Sequence, residues 1–117
     1  MAEDWARPVV HFQIVARDAP AQAAFYRAMF NWDSGDNGRG AFAAGLGGPE
    51  PGPGGHFRQG ERPAVVLFVQ VGDIYASTRL AVELGGKVTA EPFGSDAGVT
   101  RAFIEDPEGN AIGLIQQ

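Results

Sequence analysis

Cysteine is absent from the chain, and with it every disulfide and every thiolate metal site. Also missing is any run of about 18 apolar residues, or a basic segment leading into a short apolar one. Neither a membrane span nor a secretory signal is therefore expected, and a cytoplasmic location is the default. Positive charge is scarce: nine Lys and Arg stand against fourteen Asp and Glu, for a net charge of −5, and the basic residues are scattered singly. Such a surface offers no footprint for a phosphate backbone, so nucleic acid is not an expected partner. No nucleophile elbow surrounds Ser34, Ser77 or Ser95, and no strand-linked phosphate loop is present. A last absence is local. No acid follows Glu108, and the centre of the closing "NAIGLIQQ" holds Gly113.

What is present suits one globular domain: 117 residues, 44% hydrophobic and 20% charged. The chain also contains a weak copy of itself. "VVHFQIVARDAPAQAAFYRAMF" begins at Val9 and "VVLFVQVGDIYASTRLAVELGG" at Val65, each a β-branched and aromatic run, then Asp, then a helical pattern. In the first copy, residues 8–16 alternate as a strand with His11, Gln13 and Val15 on one face and Val10, Phe12 and Ile14 on the core face. Asp18 can cap a helix over about 19–30, with Phe25, Met29 and Trp32 at helical spacing. The second copy predicts a strand near 64–71, Asp73 as cap, Ile74, Thr78, Ala81 and Leu84 as the buried stripe, and Gly85 as the left-handed residue ending the helix.

After each helix the pattern turns to short strands. In the second half these are "GKVTAE", "VTRAFIED" and "NAIGLIQ"; in the first, "FNWDSG", "GAFAAGLGG" and "GGHFRQG" are the matching candidates. "DPEGN" is a turn, with Pro107 at the first corner and Gly109 left-handed. Residues 45–63 carry seven glycines and four prolines, too many for a regular element, and read as a connector ahead of a binding loop.

Two βαβββ modules ending in a D-P-E-G-N turn resemble the vicinal oxygen chelate superfamily, which includes glyoxalase I, extradiol dioxygenases and bleomycin-resistance proteins. The resemblance is carried by "VVHFQIVARDAPAQAAFY", "VQVGDIYASTRLAVELGGKV" and "GVTRAFIEDPEGNAIGLIQ", and is closest to an uncharacterised glyoxalase-related subgroup. It implies an α+β fold, with module one at about 8–58 and module two at about 64–117 forming a curled mixed sheet around a cleft. Metal-using members place a His/Glu set on the first, fourth, fifth and last of eight strands, an open divalent site able to polarise a carbonyl or activate dioxygen. Carried over residue by residue, the first position is His11, seven residues before Asp18. The fifth-strand position falls on Val66 or Leu67 and the last on Gly113; on the fourth strand His56 is the candidate donor.

The resemblance thus implies no family-type metal site, with His11 and His56 as weak candidates and Glu91 and Glu105 as neighbours that could complete one. His11 is read as a cleft-lining or hydrogen-bonded histidine, and His56 as a loop residue. Without a metal, the cleft would be lined by His11, Gln13 and Val15, by Val66, Phe68 and Gln70, and by Ala111, Gly113 and Ile115. Gln13 and Gln70 must find partners, in each other or in a ligand. Gly113 either enlarges the pocket floor or admits a close neighbour. His11 could act as a general base, and Arg101 could hold an anion or lie on a solvated face. The leading expectation is a metal-free small-molecule binding protein with no cofactor. The alternatives are a metal-dependent lyase, isomerase or dioxygenase built on His11 and His56, and a non-catalytic dimerisation or regulatory domain. A homodimer is implied, with Trp5, Tyr26 and Trp32 as candidate contacts and Trp32 equally a candidate for the core.

Overall fold

The structure, a computed structural model, describes residues 6–32, 41–42, 54–94 and 98–116. By internal packing the chain forms two compact units, Val10–Val66 and Leu67–Gln117 with the residues up to Val9. The two copies of the repeat, residues 9–59 and 64–116, are called modules one and two and differ from these units by a few residues at their ends.

Module one consists of β1 (Val9–Ala16), α1 (Ala19–Phe30), β2 (Ala41–Phe42) and β3 (Gly54–Gln59). β3 lies between the other two strands, parallel to β1 and antiparallel to β2. Residues 45–63 thus do form a regular element at their C-terminal end, contrary to the composition argument. Gly54 and Gly55 pair with His11 and Phe12, so the ladder to β1 recruits residues whose own strand propensity is weak. The candidate strands "FNWDSG" and "GAFAAGLGG" lie largely outside the described residues, apart from β2.

The start of α1 follows its cap: the Asp18 carboxylate accepts the Ala21 N–H at 3.1 Å, and Pro20 sits in the first turn. Its end follows from Asn31, left-handed at φ 62°, which donates its N–H to the Arg27 carbonyl. Its buried face differs from the expected stripe. Ala19 and Ala23 pack on Ile14 and Phe57, with Phe12, Tyr26 and Trp32 closing the cluster, whereas Phe25 is 55% and Met29 58% exposed. Small alanines let the helix backbone approach the strands closely, and the aromatic contribution comes from one turn's flank: Tyr26 stacks on Trp32 at 5.3 Å and 4° and meets Phe57 at 5.7 Å. Tyr26 and Trp32 are therefore partly buried against this cluster; Trp5 lies outside the described residues.

Module two consists of β4 (Ala64–Gln70), α2 (Ile74–Glu83), β5 (Lys87–Gly94), β6 (Thr100–Glu105) and β7 (Ala111–Gln116), in the order β4-β7-β6-β5. β7 is parallel to β4 and antiparallel to β6, and β6 is antiparallel to β5. Asp73 caps α2 through the N–H groups of Tyr75 and Ala76, both at 3.1 Å. Ile74 and Thr78 are buried as expected, but Leu84 is 69% exposed because the chain has already left the helix there, and Gly85 takes φ +97°. The core is Val71, Ile74, Ala102 and Leu114, with Val69, Ile104 and Ile112 against it.

Asp106 organises the closing turn: its carbonyl accepts the Gly109 N–H, one carboxylate oxygen accepts the N–H groups of Glu108 and Asn110, and the other accepts the Asn110 side chain. Those bonds, the Asn110 side chain first, hold its carboxyl below the ordinary value of 3.8.

The internal repeat extends to the helix starts. In module one the Gln59 side-chain oxygen accepts the Ala19 N–H at 2.9 Å, and in module two Gln116 accepts the Ile74 N–H at 2.7 Å. Each glutamine stands near the end of the strand parallel to the one that feeds the helix. The two satisfy one orphan donor per helix in the same way.

Candidate functional site

Strand alternation sorts each module into a face under its helix and a face away from it. In module one, Phe12, Ile14 and Phe57 pack toward α1, so His11, Gln13 and Val15 of β1 and His56 and Arg58 of β3 occupy the opposite face. Gln13 and His56 are register partners. The β1 half of this arrangement matches the alternation in the sequence; His56 differs from its loop reading because β3 is a strand.

These side chains form one hydrogen-bonded chain. His56 Nε2 lies 2.8 Å from Gln13 Oε1, and His56 Nδ1 lies 2.7 Å from His11 Nε2. The rings are 4.9 Å apart at 24°. Because the amide oxygen can only accept, His56 carries its proton on Nε2 and presents Nδ1 as an acceptor. The neutral pair then requires the proton between the rings to sit on His11 Nε2. Gln13, 5% exposed, thus finds its partner in His56, not in Gln70. The arrangement gives two imidazoles whose orientations are fixed by each other and by a buried amide.

Module two carries hydrocarbon in the corresponding place. Counting from the caps Asp18 and Asp73, His11 corresponds to Val66 and Gln13 to Phe68; counting from Gln59 and Gln116, His56 corresponds to Gly113. Phe68 and Gly113 are register partners, as Gln13 and His56 are. Gly113 does not enlarge a pocket floor: a Cβ there would lie 2.5 Å from Phe68 Cε1 and 2.9 Å from Cγ, so the ring fills the space. Phe68 is 1% exposed and meets Phe103 edge-on at 5.6 Å. Val66 is buried, Gln70 half-buried.

A divalent metal of the family type does not fit this donor set. Among the described residues no three His, Asp or Glu side chains converge, Glu91 and Glu105 included. The 2.7 Å between the imidazole nitrogens is a hydrogen-bond distance, shorter than the edge of about 3.3 Å between two nitrogens of a tetrahedral zinc site. Among the described residues Ser77 does not form a nucleophile arrangement, its Oγ donating to the Asp73 carbonyl within α2, and Ser34 and Ser95 lie outside the described residues.

The sequence profile described as a glyoxalase-like domain matches residues 10–115. The chain belongs to the glyoxalase-like domain family. No curated protein matches it at a meaningful level. Among solved structures, a variant of Streptomyces coelicolor methylmalonyl-CoA epimerase in complex with 2-nitronate-propionyl-CoA superposes with a TM-score of 0.67 at 16% identity, covering 96% of this chain and 97% of that one. The Mycobacterium tuberculosis epimerase gives 0.60 at 18% identity, with 92% and 86% covered. A Legionella pneumophila protein described as an NAD-dependent benzaldehyde dehydrogenase gives 0.63 at 10% identity, over 91% and 96%. Likenesses at this identity establish the glyoxalase-like α+β fold, as the resemblance in the sequence implied. Among the described residues no helix is long and apolar enough to cross a membrane.

Proposed function

We propose that this glyoxalase-like domain binds a small molecule without a family-type metal, using the His11–His56–Gln13 chain as its polar anchor. The observation that carries the reading is the chain itself, two imidazoles and a buried amide oriented by one another on the face of module one away from α1. Polar groups few in number and fixed in orientation are what give small-molecule sites their specificity. The oriented imidazoles would position the polar end of the ligand; a base without an electrophilic partner supports binding more directly than a complete reaction. The structural neighbours crystallised with acyl-CoA compounds support a small-molecule ligand in this fold. A cytoplasmic homodimer, with both modules acting as one domain, belongs to this reading on the resemblance.

A second reading, a metal-dependent isomerase, draws on the convergence of two imidazoles from β1 and β3. Metal content by elemental mass spectrometry separates the two, on untagged protein equilibrated with Ni²⁺, Zn²⁺, Fe²⁺ and Mn²⁺, for the wild type and His11→Ala. Substoichiometric metal in both supports the metal-free reading. Near-unit occupancy that disappears in His11→Ala overturns it. Ligand screening monitored on the imidazole resonances follows, and His11 and His56 should shift together because they share one hydrogen.

A further inference from the structure

Module two has a polar feature that the His11 chain does not use. Ala102 and Leu114 are in the core under α2, as Val69 is on β4, so Arg101, Phe103, Ile115 and Gln70 point to the other face. The register sets four of these residues in a row across the strands: Phe93 opposite Arg101, Arg101 opposite Ile115, Ile115 opposite Gln70. The adjoining row is Ala90, Phe103, Gly113 and Phe68, entirely apolar.

Arg101 is half-buried on this face and has neither an ion pair nor a hydrogen bond among the described residues; the Gln70 side chain likewise makes none. Among the described residues no buried side-chain polar atom lacks a partner, so the guanidinium and the amide both reach solvent. Phe93, 44% exposed, stacks on Phe103 at 6.2 Å and 22°, forming an aryl wall on the other side of Arg101. Glu105 stands opposite Lys87, so the acid on this face of β6 has a cation as its cross-strand neighbour, distinct from Arg101.

We propose, building on the small-molecule reading above, that this row is a carboxylate subsite: Arg101 pairs with the carboxylate of the ligand, Gln70 donates to it from across Ile115, and Phe93 and Phe103 hold an adjacent aryl or acyl group. The strands of Arg101 and Gln70 are two spacings apart, about 10 Å, a gap that two extended side chains can close over Ile115. A planar guanidinium fork matches a carboxylate in shape and in charge, one positive to one negative, whereas a phosphate near −2 would be left half-neutralised. The net charge of −5 gives no general attraction for anions, so retention here depends on the specific pairing.

The test uses phenylacetate, its neutral isostere phenylacetamide, and phenyl phosphate. Each is titrated into the full chain while the backbone amides of β6 and β7 are followed by NMR. Phenylacetate should bind about tenfold or more tighter than phenylacetamide, since a hydrogen bond to a charged group is the stronger kind. Arg101→Gln should abolish that preference and Arg101→Lys should reduce it, with Arg79→Gln, at an exposed arginine of α2, leaving it unchanged. Should Arg101→Gln fail to fold, the contrast is read from Arg101→Lys and Gln70→Leu. Equal binding of acid and amide overturns the proposal, as does a preference that survives loss of Arg101, tighter binding of phenyl phosphate, or no shift on β6 and β7 with any probe. None of these outcomes touches the reading of module one, which fails separately when no ligand shifts the imidazole resonances.

Discussion

Gly113→Ala gives the most direct test of how module two is built. The added methyl would sit 2.5 Å from Phe68 Cε1 and 2.9 Å from Cγ, separations that real Cβ atoms do not show. Phe68 cannot swing aside cheaply, because it is 1% exposed and wedged edge-on against Phe103. Overpacking of this kind costs about 1–3 kcal/mol. Gly113 does not have a positive φ, so alanine incurs no backbone strain and recovers about 0.4–1 kcal/mol of unfolded-state entropy. The net expectation is a loss of about 1–2 kcal/mol. In urea that is a midpoint lowered by about 1 M at unchanged slope, and in a thermal scan a Tm lower by about 4–8 °C. The cause is then checked by a cycle with Phe68→Leu. Once the ring is removed the extra methyl has room, so the double variant should be more stable than the sum of the singles by about 1 kcal/mol. A neutral or stabilising Gly113→Ala, or singles that add to within about 0.4 kcal/mol, would refute the claim that the Phe68 ring occupies the space of the missing side chain.

The helix caps should differ in weight. Asp73→Ala removes acceptors from two N–H groups and should cost about 1–2 kcal/mol in denaturant unfolding, whereas Asp18→Ala removes one and should cost about half as much. The corrected face of α1 predicts that Met29→Gln stays within about 0.5 kcal/mol of the parent while Ala23→Leu loses about 1–3 kcal/mol; the reverse order would restore the Phe25 and Met29 stripe. For Asp106, whose carboxyl is held below 3.8 in the folded chain, the contribution is fully present above the unfolded value and is lost as pH falls through the folded one. A ¹³C titration should therefore find its midpoint below 3.8, and Asp106→Ala should lose stability at pH 7 but converge on the parent once pH has fallen through the folded value.

The elements that could be read from the sequence are those fixed by residues close together in the chain. Asp18 and Asp73 start their helices, Gly85 ends the second, and Asp106 with Gly109 makes the closing turn, all within a few residues of the groups they satisfy. What could not be read are pairings across distance. Gln59 and Gln116 reach helix starts 40 and 42 residues away, and the Gln13 amide oxygen finds its donor 43 residues on, in a glycine-rich strand that shows no pattern of its own. The face of α1 was obscured for another reason: large side chains suggest burial, but the close approach of helix to strand is made by Ala19 and Ala23.

The absent acid on the last strand has the same lesson in its strongest form. Taken alone, Gly113 reads as a lost ligand in an otherwise inherited site. Register shows that it is half of a pair: where module one sets Gln13 against His56, module two sets Phe68 against Gly113, a large residue against the smallest one. Gly113→Glu would therefore not bring back a donor, because its Cβ meets the same ring as that of alanine, and the carboxylate beyond it would enter a buried, apolar position without a partner. A change toward metal binding at this place needs Phe68 to shrink before, or together with, the gain of an acid. The order of those two steps is thus set by packing, and the single acid substitution should behave as a destabilised chain with no gain in metal affinity.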